Sequence, residues 1–125
     1  MSKNAIITRK NQEIPLQEWK AIVADDREME LTGRAEVKTG KNRTAVYENE
    51  GLAVWTAHPG PLALGNQAWF DYQHGFVVVK NPDAPMILKL RSLARKLGAR
   101  VLNDNGQRYR LPNRRSIAIT ATSPD

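Results

Sequence analysis

Apolar residues recur at helical spacing in two parts of the chain. In the first part, four of them fall three or four positions apart and would share one face of a helix: Leu16, Trp19, Ile22 and Val23. Pro15 fits the first turn of this helix because its missing N–H would have no partner there, and Glu18 suits the positive end of the helix dipole. The pattern predicts an amphipathic helix over residues 15–24.

A second helix is predicted to begin after Asn81 and Pro82. Asp83 can cap its N-terminus, and Pro85 falls in its first turn. An apolar stripe then repeats every three or four positions: Met86, Leu90, Leu93 and Leu97. Gly98 follows where a left-handed residue would end the helix.

Short segments rich in β-branched and aromatic residues alternate with turn residues elsewhere in the chain, which is typical of strands. The predicted strands cover residues 5–8, 35–39, 43–48, 52–57, 68–72 and 76–80, with a closing hairpin of residues 99–102 and 107–111. Consecutive hairpins give an antiparallel meander. The predicted fold is therefore α+β. The strands from residue 35 onward, including the C-terminal hairpin, form a meander of about five to seven strands, which packs with two amphipathic helices.

The composition fits one folded domain. The chain has 125 residues, of which 41% are hydrophobic and 26% are charged, as in ordinary globular proteins. A chain of this length forms one core. We expect a single α+β domain over residues 1–112, followed by a polar and basic segment, residues 113–125, that is either a flexible tail or a late edge strand.

Several kinds of site are excluded by the residue types present. The chain has no cysteine, which excludes disulfides and thiolate metal sites, and its two histidines are too few for a metal centre. No glycine-rich phosphate loop indicates a nucleotide, so we expect no cofactor. The sequence shows neither a membrane-spanning apolar run nor a signal-peptide pattern. We expect a cytoplasmic protein that does not enter a membrane.

Positive charge is concentrated in the C-terminal half. The net charge is +6, and residues 1–60 contribute nothing to it because nine basic residues balance nine acidic ones there. Between Lys80 and Arg115, ten basic residues meet only two acidic ones, Asp83 and Asp104. Such a segment can face phosphate or an acidic protein surface, or can be a solvated helix face.

A catalytic centre is not indicated. General acid–base chemistry needs a titratable group near the substrate, and His74 with Asp71 and Tyr72 forms the one cluster that suggests it. These residues span a hairpin corner, where such residue types are common for conformational reasons. We therefore expect a protein that is not an enzyme; a buried, hydrogen-bonded imidazole lining a deep cleft would contradict this expectation.

Candidate partner-binding residues fall into two groups. The basic group could form one face from the second helix and the closing hairpin: Lys89, Arg91, Arg95, Lys96, Arg100, Arg108 and Arg110. The other group comprises His58 in the long loop and two aromatic residues, Trp69 and Tyr72, which either anchor an interface or complete the buried side of the sheet. Trp19 belongs to the core.

Several segments resemble a group of small bacterial proteins related to the immunity proteins of contact-dependent and other polymorphic toxin systems. The resemblance is carried by Ile7-Thr8-Arg9, residues 14–19, Trp69-Phe70, Asn81-Pro82-Asp83 and residues 93–101. It implies a stoichiometric inhibitor that caps a toxin domain. The basic C-terminal half would suit an acidic toxin, or docking away from a nuclease's active cleft.

The function expected from the sequence is thus protein binding without catalysis. The specific form is an immunity protein that neutralises a bacterial toxin domain. The alternative is a small basic domain that associates with nucleic acid; no zinc-finger spacing, RNP pattern or GXXG loop accompanies the basic residues.

Overall fold

A computed structural model describes residues 4–60 and 67–109 of the chain. Two helices lie in this part, α1 (Leu16–Ala24) and α2 (Ala84–Lys96). The strands of the same part are β1 (Asn4–Thr8), β2 (Met29–Leu31), β3 (Arg34–Gly40), β4 (Arg43–Glu48), β5 (Leu52–Trp55), β6 (Ala68–Gln73), β7 (Phe76–Lys80) and β8 (Arg100–Asn103).

Six strands form one antiparallel sheet in the order β2-β5-β6-β7-β1-β8. The middle strands β5, β6 and β7 are a meander, since each pairs with the next along the chain. The first strand, β1, then lies between β7 and β8. β3 and β4 pair with each other in a separate two-stranded ribbon. The predicted α+β class is confirmed.

Both helices pack against one face of the six-stranded sheet, which we call the helix face. Alternate strand residues such as Ile7, Phe70 and Val77 are fully buried there. Trp19 of α1 and Leu93 of α2 belong to the same buried cluster, as the apolar stripes predict. The indole Nε1 of Trp19 also donates a hydrogen bond of 2.8 Å to the carbonyl oxygen of Gly51.

Local signals begin and end α2 as predicted. The Asp83 carboxylate accepts a hydrogen bond of 3.1 Å from the backbone N–H of Met86, which caps the helix. Gly98 has a φ of 61°, the left-handed conformation that follows the last turn. Arg9 then joins the two helices, because its Nε donates 2.9 Å to the carbonyl oxygen of Leu97 and its guanidinium pairs with Glu18 of α1.

Two regions differ from the sequence prediction or lie beyond it. β2 is too short to show an alternating pattern, yet it pairs with β5 at the sheet edge. The closing hairpin consists of β8 and one bridge, Leu102 to Arg108. Residues 110–112, the predicted tail at 113–125 and residues 61–66 of the long loop lie outside the described part of the chain.

Neither α1 nor α2 is long and apolar enough to cross a membrane.

Candidate binding surfaces

Lys89, predicted as a partner contact, lies in an ion-pair network within the protein. Its Nζ is 2.7 Å from Asp26 Oδ2 and 3.0 Å from Glu28 Oε1, and 5.9 Å from the centre of the Trp55 ring. The side chains of Lys89 and Asp26 are only 10% and 8% exposed. Lys89 therefore joins α2 to the segment between α1 and β2, and its charge is not free to meet a partner.

The same network shifts two carboxyl groups. Burial of Asp26 acts to raise its pKa, but hydrogen bonds from Lys89 and the Glu28 backbone, with the charges of Lys89 and Lys96, outweigh burial and lower it. The pKa of Glu28 is lowered mainly by the hydrogen bond from Lys89, and further by the one from Trp55 Nε1. Both carboxylates are ionised at neutral pH and hold Lys89 in place.

The solvent side of α2 combines positive charge with one exposed apolar side chain. Leu88 is 55% exposed, and Arg95 and Lys96 are exposed about two turns further along. Arg91 is half-buried, and its Nη2 donates 3.0 Å to the carbonyl oxygen of Tyr109. No Asp or Glu occurs within α2. We call the following residues the basic helix surface: Leu88, Arg91, Arg95 and Lys96.

Arg100 and Arg108 lie on the other side of the sheet from α2. Val101 is buried on the helix face, so the alternation along β8 turns Arg100 and Leu102 to the opposite face. Arg108 is the bridge partner of Leu102 and is exposed. Arg110 lies outside the described residues. The predicted basic residues are thus divided between α2 and the edge strand β8, and the structure does not gather them on one surface.

His58 is a buried residue and not the exposed loop residue that we expected. Its side chain is 7% exposed and stands edge-on to Trp55, with ring centres 5.4 Å apart. Its Nε2 lies 2.8 Å from Asp83 Oδ2, and its Nδ1 lies 3.0 Å from the carbonyl oxygen of Gly60. The ring borders a cleft of about 320 Å³.

A buried imidazole beside a cleft is the feature expected of a catalytic centre. In His58, however, each ring nitrogen already faces an oxygen of the protein, Asp83 on one side and Gly60 on the other. A general base needs a nitrogen within hydrogen-bond reach of its substrate. This arrangement instead fixes the start of the long loop to the N-cap of α2.

Tyr72 and Trp69 occupy opposite faces of the sheet, and neither belongs to the basic helix surface. Tyr72 lies on the helix face, where its hydroxyl donates 2.7 Å to the carbonyl oxygen of Ile14. Trp69 is three residues before Tyr72 in β6, so its side chain lies on the opposite face, away from the helices. We call this face the second face. His74 has a φ of 43° in the β6–β7 turn, as the hairpin-corner interpretation predicts.

A cavity of about 820 Å³ lies between the second face and the β3–β4 ribbon. We call it the ribbon cavity. Its ribbon wall includes Val37, Ala45 and Tyr47, and its sheet wall includes Trp69, Phe76 and Val78. These side chains are mostly apolar, and the polar residues Lys80 and Asn81 also border the space. Its volume is in the range of small-molecule pockets, about 300–1,000 Å³, and the space is open to solvent along part of its boundary.

Asp71, which pairs with Val78 of β7, connects the ribbon to the sheet at the border of the cavity. Its Oδ2 accepts hydrogen bonds of 2.7 Å from Tyr47 Oη and from Gln73 Nε2, and its Oδ1 accepts one of 2.7 Å from Asn49 Nδ2. The pKa of Tyr47 is raised by its burial and by donation to the Asp71 carboxylate. These three hydrogen bonds hold the Asp71 carboxylate in place, and His74 makes none of them.

The ribbon cavity is the feature that sequence reasoning missed. The strands that line it were predicted, but their local patterns favour a continuous meander and do not show that β3 and β4 leave the sheet. One signal was available. The segment Trp69, Asp71, Gln73 alternates with the buried Ala68 and Phe70, so a large aromatic residue falls on the side away from the core.

Comparison with protein-family models, with curated proteins and with solved structures finds no match for this chain. The contacts described above therefore carry the functional inference. We take the basic helix surface and the ribbon cavity, both within the described residues, as candidate places for a partner or ligand.

Proposed function

We propose that the protein is a non-enzymatic binding protein whose basic helix surface receives a protein partner with an acidic patch. The observation that carries this proposal is Leu88, which is 55% exposed on a helix that contains no acidic residue and is followed about two turns later by exposed Arg95 and Lys96. An exposed apolar side chain on a helix that ends in positive charge suits a partner with an apolar contact and an acidic patch.

The two parts of this surface would contribute in different ways. Burying Leu88 against a partner removes apolar area from water, which is worth about 1.5–3 kcal/mol for a full side chain. The rim charges of Arg95 and Lys96 mainly raise the association rate and make it depend on salt. Lys89 contributes to neither effect because Asp26 and Glu28 already bind it.

The specific form that we propose is an immunity protein, which neutralises a bacterial toxin domain by one-to-one binding. The resemblance noted in the sequence supports this form, and the basic helix surface fits a toxin with an acidic face. The engagement of both His58 ring nitrogens by the protein supports the non-enzymatic part of the proposal.

The gene of an immunity protein is expected directly downstream of the gene for its toxin, so the test begins with that neighbourhood and uses the toxin domain found there. A neighbourhood without a toxin gene would count against the immunity form. Titration calorimetry of the wild-type chain should show one-to-one binding. Leu88→Ala should weaken it about tenfold, and Arg95→Glu should slow association and reduce its salt dependence. Lys41→Glu is the matched control, since it makes the same charge change at the exposed β3–β4 turn and should bind like the wild type. Binding unchanged by Leu88→Ala and Arg95→Glu, or no binding at all, would refute the proposal.

The nucleic-acid alternative is tested in parallel with labelled duplex DNA and RNA. Several phosphate contacts on one surface would make binding fall steeply as salt rises. Because the basic residues are divided between α2 and β8, we expect only weak binding even at low salt. Tight binding with a steep salt slope would favour the alternative over the protein partner.

A further inference from the structure

We propose that the ribbon cavity binds an apolar monocarboxylate, an anion with a medium-length hydrocarbon body. This site is separate from the basic helix surface, and the two proposals stand or fall independently. Three properties of the cavity carry the inference: its mostly apolar walls, Lys80 as the one basic residue among the described lining residues, and Asp71 as the one acidic residue among them, whose oxygens already accept hydrogen bonds.

The walls provide the apolar body of the ligand with contacts on two sides. Val37 and Ala45 project from the ribbon, and Leu52 and Val78 project from the sheet. A volume of about 820 Å³, open to solvent along part of its boundary, is large enough for a small-molecule ligand. A flexible hydrocarbon chain can lie in such a space between two β layers.

The cation is Lys80, which is exposed, borders the cavity and makes no ion pair within the described residues. Asp71 pairs with Val78. Trp69 is two residues before Asp71 and Lys80 is two residues after Val78, so both occupy the next positions of their strands on the second face. An ammonium group beside an apolar space attracts a carboxylate more strongly than it would in open water.

Trp69 adds a donor to the same end. Its Nε1 is inaccessible to solvent and has no hydrogen-bond acceptor in the described part of the chain. An unpaired buried N–H is unfavourable, and a carboxylate held by Lys80 at the same end could accept from it after a small movement of the ring. Trp69 would then help to select an acceptor over a purely apolar end group.

The two charged residues of the described lining determine the orientation of the ligand. Lys80 is the cation and Asp71 the anion; Asp71 pairs with Val78, the same-face position before Lys80, and its oxygens already accept from three neutral donors: Tyr47, Asn49 and Gln73. The carboxylate of the ligand therefore belongs at Lys80, and its hydrocarbon tail extends between Val37 and Val78.

The experiment compares three probes of equal chain length on the full chain by titration calorimetry: octanoate, octanol and octyltrimethylammonium. Octanoate should bind about ten times more tightly than octanol, as expected for one charge-assisted contact, and the cation should bind weakest. Equal binding of octanoate and octanol, or no binding of octanoate at millimolar concentration, would overturn the proposal.

Variants locate the site. Lys80→Gln should weaken octanoate about tenfold and leave octanol unchanged. Ala45→Phe, which places a ring in the cavity, should abolish binding of both, whereas Val46→Phe on the outer face of the same strand should not. If Lys80→Gln binds octanoate like the wild type, or if Ala45→Phe retains binding with an unchanged Tm, the proposal is wrong. Leu88→Ala should leave octanoate binding intact.

Discussion

Replacing Lys89 by methionine tests whether the ion-pair network is a structural element of the fold. Methionine keeps the chain length and the helix propensity, so the change removes mainly the charge. Removing one partner of a fully buried pair costs about 3–5 kcal/mol because the other charge is left uncompensated. Lys89 pairs with two carboxylates. The side chain of Asp26 is 8% exposed and that of Glu28 is 53% exposed, so the network is partly open to water. We therefore expect Lys89→Met to cost about 2–4 kcal/mol.

Urea unfolding followed by tryptophan fluorescence measures this cost, with an unchanged m-value as the sign of an unchanged fold. Arg95→Met is the matched control on the same helix, because Arg95 is exposed, is not among the groups that shift the pKa of Asp26, and should change stability by less than about 0.5 kcal/mol. In an Asp26→Asn background, Lys89→Met should cost at least about 1 kcal/mol less than in the wild type, since the two residues are coupled.

The pH dependence has a definite sign. The folded pKa of Asp26 is lowered below its ordinary value of 3.8, so the pair contributes fully above that value. Its contribution is lost as the pH falls from 3.8 through the lower folded pKa, and the difference between wild type and Lys89→Met should shrink there. A cost below about 0.5 kcal/mol at pH 7, equal to that of Arg95→Met, would show that Lys89 is an ordinary surface lysine.

Other predictions concern the core, a close approach and a helix cap. Gly51→Ala would place a Cβ 2.4 Å from Tyr72 Cβ and should destabilise by about 1–3 kcal/mol, whereas Gly40→Ala, with its nearest neighbour at 3.9 Å, should change the urea midpoint little. Leu93→Ala should cost about 2–5 kcal/mol in urea unfolding, and a value near that of the exposed Leu88→Ala would mean that the wrong face of α2 is assigned to the core. Asp83→Ala should cost about 1 kcal/mol in thermal unfolding through loss of the α2 cap, and Asp83→Asn should recover most of it; equal losses in both variants would assign the effect to His58 instead.

The elements that could be predicted from the sequence are those with local signals. Pro15 and Asp83 mark helix starts, and the stripe containing Leu90 and Leu93 identifies the buried side of α2. The arrangement of the strands depends on pairings between distant segments. Nothing in residues 34–48 shows that they form a ribbon of their own, since both β3 and β4 have ordinary strand patterns.

The candidate site residues illustrate the same limit. Lys89 has the sequence context of a solvent-facing helix residue, but its partner Asp26 is 63 residues away. His58 is followed by Pro59 and Gly60, as in an exposed loop, and only the fold brings Asp83 to its ring. Charge along the chain therefore identified basic residues correctly but not which of them are available, because availability depends on acidic residues brought close by the tertiary structure.

The place of β1 between β7 and β8 has a consequence for how the chain folds during synthesis. β1 leaves the ribosome before both of its neighbours, which follow only after residues 76–80 and 100–103 have been translated. Its hydrogen bonds must wait for nearly the whole described chain, so the sheet cannot be completed piece by piece. Such long-range closure slows folding and leaves the early segments exposed to chaperones in the interval.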